Sequence, residues 1–552
     1  MAFDPILLAP RADAARRGGF WPDRNLLDDL AARLTETPDR EALIAYRSES
    51  GRRESYTYRD LDRMARRLAG ALARRGVGRG DVISAQLPNW PEFVLLYLAS
   101  LHLGATLNPL MPIFRARELR FMLAHAESKV LVIPSRFRSF DYRAMIAEVR
   151  PDLPALAHVL AVESGAEDEL GPLLTEEGET PSLAPLTPDE ITQLIYTSGT
   201  TGEPKGVMHS SNTLYANILP YAARLGLDGS ARILMASPMA HQTGFMYGLM
   251  MPIILGAPAI LLDIWEPRRA LDIIREERVS FTMASTPFLA DLTRAARETG
   301  MPPETLRLFV CAGAPIPGPL VEEAQDVLGV RVISAWGMTE NGAVTLTRPE
   351  DPPSRSAETD GCPLPGAEIK VVNAEGRPLP PGKEGRLLVR SVSNFGGYHK
   401  RPEWNATDAE GWFDTGDLAR LDEAGYVRIT GRAKDIIIRG GENIPVVEIE
   451  ALLYRHPAIA QVAIVGYPDP RLGERACALV VFKEGARLTL ADLTRHLEAH
   501  RVARPYWPER LEIIEAMPMT ASGKIQKFRL RDWLRARGAT PTNPTPSAEP
   551  PP

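Results

Sequence analysis

"LIYTSGTTGEPKGVMHS" occupies Leu194–Ser210, and it sets three glycines, five serines and threonines and one lysine directly behind an apolar run. Glycine permits backbone turns that aim successive N–H groups at one point, so a loop of this composition can form a nest for an anion. Thr197, Ser198, Thr200 and Thr201 add hydroxyl donors between Gly199 and Gly202, and Lys205 adds a movable positive charge. The stretch reads as a phosphate cradle delivered by a β-strand. It is not a Walker loop, in which Gly-Lys-Ser/Thr opens a helix, because Lys205 stands between Pro204 and Gly206.

Working outward, helical-period stretches at Leu61–Arg75, Trp90–Leu103 and Glu118–His125 alternate with short apolar runs such as "KVLVIP" and "HVLAVE". "ARILMAS", "RLFVCAG" and "VRVISAW" follow, each ending in small or polar residues. This alternation predicts α/β subdomains with largely parallel strands, whose carboxyl ends are where ligands collect. From about Gly361 the texture turns to short strands and tight turns, which predicts a β-rich subdomain. Beyond about Lys434 the order becomes helix, strand, strand, helix, the pattern of a small α+β domain. The expected fold class is therefore α/β: an N-terminal domain over 1–433, β-rich at about 361–433, then a C-terminal α+β domain over 434–537. The last stretch, "GATPTNPTPSAEPPP" over 538–552, is Pro-rich and reads as a disordered tail.

At 552 residues the chain exceeds one ordinary hydrophobic core. Its 44% hydrophobic and 24% charged residues match globular averages, and no run of eighteen apolar residues could span a bilayer. The start, "MAFDPILLAPRADAARRGG", lacks the order of a secretory signal and is expected to be an uncleaved cytoplasmic N-terminus. Cys311, Cys362 and Cys477 lack disulfide or zinc spacing. A net charge of −6 argues against nucleic acid as a partner. Of 64 basic residues only nine are lysines. In a chain that uses arginine for generic charge, a lysine inside a polar motif points to a task that needs a compact ammonium, and Lys205, Lys434 and Lys524 all lie in such motifs.

The glycine-rich stretch resembles the phosphate-binding signature of the superfamily that forms acyl-adenylates: acyl- and aryl-CoA ligases, adenylation domains of peptide synthetases, and luciferases. The resemblance runs along the chain apart from the tail, in the family's order: "LGATLNPLMP" (103–112), "YTSGTTGEPKG" (196–206), "MAHQTG" (239–244), "CAGAPIP" (311–317), "WGMTE" (336–340), "WFDTGDLA" (412–419), "GRAKDIIIRGGENI" (431–444) and "TASGKIQKFRLR" (520–531). It implies a mobile C-terminal domain, ATP and Mg²⁺, and coenzyme A as co-substrate. By the same resemblance Lys205 and its loop hold the β- and γ-phosphates, Glu340 helps hold Mg²⁺ and Thr339 sits on the α-phosphate. Gly313, Ala314 and Pro315 line one face of the adenine. Gly337 and Met338 continue the nucleotide site, and Trp336, replacing the usual tyrosine, is expected to stack on the other face. Asp417 accepts the ribose hydroxyls with Arg432 assisting. Lys524 bridges the acid and the ATP during adenylation. Lys434 is the hinge, and Gly440, Gly441 and Glu442 come in to line the tunnel for the pantetheine arm. Pro445, where Tyr or Ser is common, departs from the pattern.

His241 matches the family's gate between acid and nucleotide. Gln242, Phe245, Met246 and Tyr247 around it imply an apolar acyl pocket. The expected substrates are a small carboxylic acid, ATP and CoA, the acid being apolar: cyclohexanecarboxylate or a short- or medium-chain fatty acid, as in the branch this segment resembles. Two other readings stand beside it, a stand-alone enzyme that loads a carrier protein and an inactive nucleotide-binding homologue.

Overall fold

The computed structural model describes residues 3–163, 165, 169–175, 186–197, 204–313, 316–433, 437–439, 442–469, 471–520 and 523–537. The chain is a mixed α/β protein with a large N-terminal domain and a small C-terminal one. Two sheets carry the large domain. In the first, six parallel strands run in the order Arg331–Met338, Leu308–Ala312, Phe281–Ala284, Ile233–Met235, Ala259–Leu262 and Glu41–Arg47, and antiparallel strands flank both edges to make nine. In the second, Ile191–Thr197, Thr106–Pro109, Val82–Ala85, Val130–Pro134 and His158–Val162 run parallel, and Lys205–Ser210 closes one edge antiparallel.

The five apolar runs noted above all become strands, largely buried on both faces: Val130–Pro134 and Ile233–Met235 are buried at every position. Between the sheets lies helix Pro91–Leu103, apolar all round and buried along nearly its whole length, so it belongs to the core rather than to a surface. It ends on Gly104, whose left-handed backbone stops the helix.

The β-rich segment forms a four-stranded antiparallel meander, Ala367–Val372, Gly385–Ser391, Phe413–Leu421 and Val427–Arg432. Its apolar face takes in Trp336 and Val344 of the nine-stranded sheet, so the meander is fastened to the ends of strands that carry site residues. The C-terminal sheet has five strands, with Gly473–Phe482 between Ile459–Asp469 and a parallel strand, Arg510–Ile513, that the sequence reading did not resolve. Helices Val446–Tyr454 and Lys527–Arg537 pack on its two faces in separate apolar clusters. Among the described residues no helix is long and apolar enough to cross a membrane.

Candidate active site

Strands Ile191–Thr197 and Lys205–Ser210 are an antiparallel pair in which Thr197 faces Lys205. The glycine-rich stretch therefore joins two strands, and Lys205 opens a strand rather than a helix, the geometry that separates it from a Walker loop. The Lys205 ammonium lies 4.8 Å from the Tyr398 ring centre and 5.2 Å from that of Trp404, an aromatic wall that holds the cation at the exit of the loop. Ser198, Gly199, Thr200, Thr201 and Gly202 lie outside the described residues, as do Ala314, Pro315, Lys434, Gly440, Gly441 and the side chain of Glu442.

Thr339 and Glu340 sit in the tight turn between Arg331–Met338 and Gly342–Leu346. Gly337 has no alternative in this hairpin, because a Cβ there would fall 1.9 Å from the Gly342 carbonyl oxygen. Asn217 clamps the turn by donating to the Asn341 and Ala343 carbonyls. Behind it, the Nε2–H of His209 donates to the Thr339 carbonyl at 2.8 Å. Complete burial pushes the His209 pKa down to about 4, so the ring is neutral near pH 7, and a carbonyl can only accept, which puts the proton on Nε2. The carboxylate of Glu340 is nearly buried and accepts from the Tyr398 hydroxyl at 2.7 Å.

Asp417 and Arg432 are directly paired across neighbouring strands, and the guanidinium Nε meets Oδ1 at 2.7 Å. The other carboxylate oxygen, Oδ2, accepts from the indole Nε1–H of Trp336 at 3.0 Å. Gly313 ends the neighbouring strand with a left-handed φ of 86°, and Met338 packs beside Trp336 at the base of the meander.

His241 caps a helical segment through an Nδ1 that accepts from the Thr243 N–H at 3.3 Å. Its pKa is pushed down to about 4, first by burial and then by the charge of Lys524. The charge of a lysine from the C-terminal domain is thus felt at His241. The turn that carries it is seated on the large domain: at Gly523, with φ of 79°, a Cβ would come within 2.6 Å of Ser285 Oγ. Within the turn Lys524 is held by its own backbone, the N–H donating to Thr520 Oγ1 and the carbonyl accepting from the Thr520 N–H.

Phe245, Met246 and Tyr247 open a π-helical stretch, Phe245–Met250, and all three are buried. Pro252 has no N–H to return to Gly248, which accounts for the widened register there. Phe245 packs edge-on against Tyr97. Tyr247 is stacked on Tyr221, and its hydroxyl donates to Asn217 and accepts from the Ala343 N–H, so it also braces the Thr339 turn. Gln242 is buried with neither amide atom partnered among the described residues.

Lys205, Glu340 and the Asp417–Arg432 pair lie on the large domain and the Gly523–Lys524 turn of the small domain is seated against it, the layout of an adenylate-forming ligase. The chain belongs to the AMP-binding enzyme family: residues 30–399 match the model of the AMP-binding enzyme and residues 448–524 that of its C-terminal domain. It is 38% identical over 534 residues to the medium-chain fatty-acid–CoA ligase of Escherichia coli (strain K12), covering 96% of this chain and 93% of that one. It is 35% identical over 540 residues to a salicylyl-CoA synthase / salicylate adenylyltransferase of a Streptomyces species, covering 95% and 96% respectively. Its fold matches the crystal structure of the anthranilate CoA ligase AuaEII in complex with anthranoyl-AMP with a TM-score of 0.84, at 25% identity over 93% of this chain and 97% of that one.

Sequence reasoning passed over His209, Asn217, Tyr398 and Ser285. For His209 a signal was present, a histidine four positions after Lys205, behind Gly206, Val207 and Met208. For Asn217, mid-helix, and Ser285, ahead of the next helix, nothing local marked the partner.

Proposed function

We propose that the protein is an ATP- and Mg²⁺-dependent carboxylic acid–CoA ligase acting on an apolar acid, medium-chain fatty acids and cyclohexanecarboxylate being the first candidates, and that it works in the cytoplasm. The observation that carries the reading is the seating of the Gly523–Lys524 turn against Ser285, within electrostatic reach of His241. The 38% identity to a medium-chain fatty-acid–CoA ligase supports the class of acid, as does the buried, mostly apolar wall of Phe245 and Met246.

A carboxylic acid is ionised near neutral pH, so its attack on the α-phosphorus of ATP needs no general base, only positioning and absorption of charge. Lys524 spans the acid carboxylate and the α-phosphate. Lys205 and the hairpin loop receive the departing pyrophosphate, Thr339 meets the α-phosphate, and Asp417 with Arg432 holds the ribose. His241, neutral at pH 7, separates the acid from the nucleotide without adding charge. The donor suits Mg²⁺: this hard ion keeps phosphate oxygens and waters around one or two carboxylates, here the buried carboxylate of Glu340. When bound, the ion would withdraw charge from the phosphate oxygens.

In the second half-reaction the domain over 434–537 turns about Lys434, takes Lys524 out of the site and brings Gly440, Gly441 and Glu442 in beside the pantetheine arm. The CoA sulfur attacks the acyl carbonyl, the thiol proton leaves to solvent, and AMP departs. The test is release of pyrophosphate and AMP with ATP, Mg²⁺ and a panel of linear acids, cyclohexanecarboxylate and benzoate, with and without CoA. Turnover that needs both an apolar acid and CoA supports the proposal. Adenylate formation with no turnover on CoA would replace CoA with a carrier protein, and no pyrophosphate from any acid would overturn the reading.

A further inference from the structure

We propose that Trp336 is a positioning residue for the ribose carboxylate: its indole N–H orients Asp417, and nucleotide recognition in this chain depends on that bond. The inference rests on the assignment of Asp417 to the ribose hydroxyls.

Trp336 leaves the end of the nine-stranded sheet and sinks into the apolar face of the meander, with Val344, Val371, Leu387, Val389, Ala419 and Val427. Only 8% of it is exposed. From this socket Nε1–H reaches Asp417 Oδ2 at 3.0 Å, while Arg432 Nε holds Oδ1 at 2.7 Å. Asp417 itself is 2% exposed. A carboxylate has about four lone-pair sites, two on each oxygen. One donor on each oxygen fixes rotation of the group about its last bond and leaves one site per oxygen for a ligand. Two vicinal ribose hydroxyls present two donors at matching separation, so the carboxylate meets them already turned.

A tyrosine ring, the usual occupant of this motif, has no ring N–H. Tryptophan is therefore not a neutral exchange here. It ties the meander strand Phe413–Leu421 to the strand that leads into the Thr339 turn. A ring that merely filled the core would leave the carboxylate indifferent to its removal, and one that served only as a purine platform would not distinguish ribose from deoxyribose.

The experiment measures the binding of AMP, 2′-deoxy-AMP and 3′-deoxy-AMP by isothermal titration, which needs neither the acid nor the thiol. Trp336→Phe deletes the donor and keeps an aromatic ring. Because that change opens space, a second variant carries benzothienylalanine at the position, with sulfur in place of N–H and the volume preserved. A hydrogen bond to a charged group predicts AMP binding roughly 10-fold weaker in both variants. The loss shrinks to less than about 3-fold for the deoxy nucleotides, and in an Asp417→Ala background the change at 336 adds nothing beyond about 2-fold. Equal weakening of all three nucleotides, or AMP binding unaltered by the benzothienyl replacement, overturns the proposal. Unchanged AMP binding in Asp417→Ala alone would overturn the ribose assignment beneath it, a failure separable from that of Trp336.

Discussion

The hydroxyl of Tyr398 donates to Oε1 of Glu340 at 2.7 Å, and the face of the same ring lies 4.8 Å from the Lys205 ammonium. One side chain thus fixes the carboxylate assigned to the metal and parks the lysine assigned to the phosphates. Burial and the adjacent carboxylate push the phenol well above its ordinary pKa, so it stays an O–H donor throughout the neutral range.

Tyr398→Phe keeps the aromatic face for Lys205 and deletes the bond to Glu340. With that bond worth about 1.5–3 kcal/mol, kcat/KM for ATP should fall roughly 10- to 100-fold. The Mg²⁺ concentration at half-maximal pyrophosphate release should rise with it. An unchanged Mg²⁺ dependence would mean that Glu340 needs no help to keep its orientation. Trp404→Ala instead weakens the wall around Lys205 and should raise the KM for ATP with little effect on Mg²⁺ dependence.

Lys524→Ala should lower acyl-adenylate formation at least ~100-fold, since it removes a charge positioned on the transition state. Thioester formation from supplied acyl-adenylate should remain. Gly523→Ala should give a milder form of the same split, because its Cβ would collide with Ser285 Oγ and a left-handed φ disfavours alanine. Rapid-quench assays of each half-reaction decide the matter, and equal loss in both halves would remove the domain rotation from the mechanism.

Most of the architecture was legible because it rests on local pattern. Apolar runs ending in small or polar residues became parallel strands, and the short strands and tight turns after about Gly361 became the meander. The strand Glu41–Arg47 was passed over although its hairpin partner Arg52–Thr57 follows directly; only its parallel pairing with Ala259–Leu262, more than two hundred residues away, has no local sign. At the site, Lys205 stands in a loop whose composition marks it, whereas Asp417 and Arg432 were picked out by the resemblance of their motifs to the family's. The contacts that aim them are different. Trp336 to Asp417, Tyr398 to Glu340 and His209 to Thr339 each join segments brought together only by the packed sheets.

His209 gives a pH prediction. Its folded pKa, about 4, is below the ordinary value of 6.5 because the ring is buried, so the unfolded chain binds the extra proton first as pH falls. Stability contributed by the neutral ring is complete above about 6.5 and declines between about 6.5 and 4, by on the order of 1.4 kcal/mol per pH unit for such a group. His241 and His399 have pKa values lowered to about 4 and act in the same direction. Urea titrations at pH 7 and pH 5 should show a lower midpoint at pH 5. His209→Gln, which retains an N–H donor for the Thr339 carbonyl, should flatten that dependence while keeping more adenylation activity than His209→Ala.

The acid pocket offers the last test, and it separates two neighbours in the π-helical stretch. Tyr247 is bound into the core by two hydrogen bonds and a stacked tyrosine, so Tyr247→Phe should cost about 1–3 kcal/mol of stability by leaving the Ala343 N–H unpaired. Met246 makes no such bonds through its flexible apolar chain, and Met246→Ala should open volume next to the gate at His241. Each additional buried methylene is worth about 0.8 kcal/mol, close to fourfold in kcat/KM. The preferred linear acid should therefore lengthen by one or two carbons in Met246→Ala, with a thermal midpoint that the longer acid partly restores. Initial rates over a homologous series of acids, read beside thermal melts with each acid, check both effects. A preference that stays fixed while stability falls would put Met246 in the core alone and move the acyl pocket elsewhere.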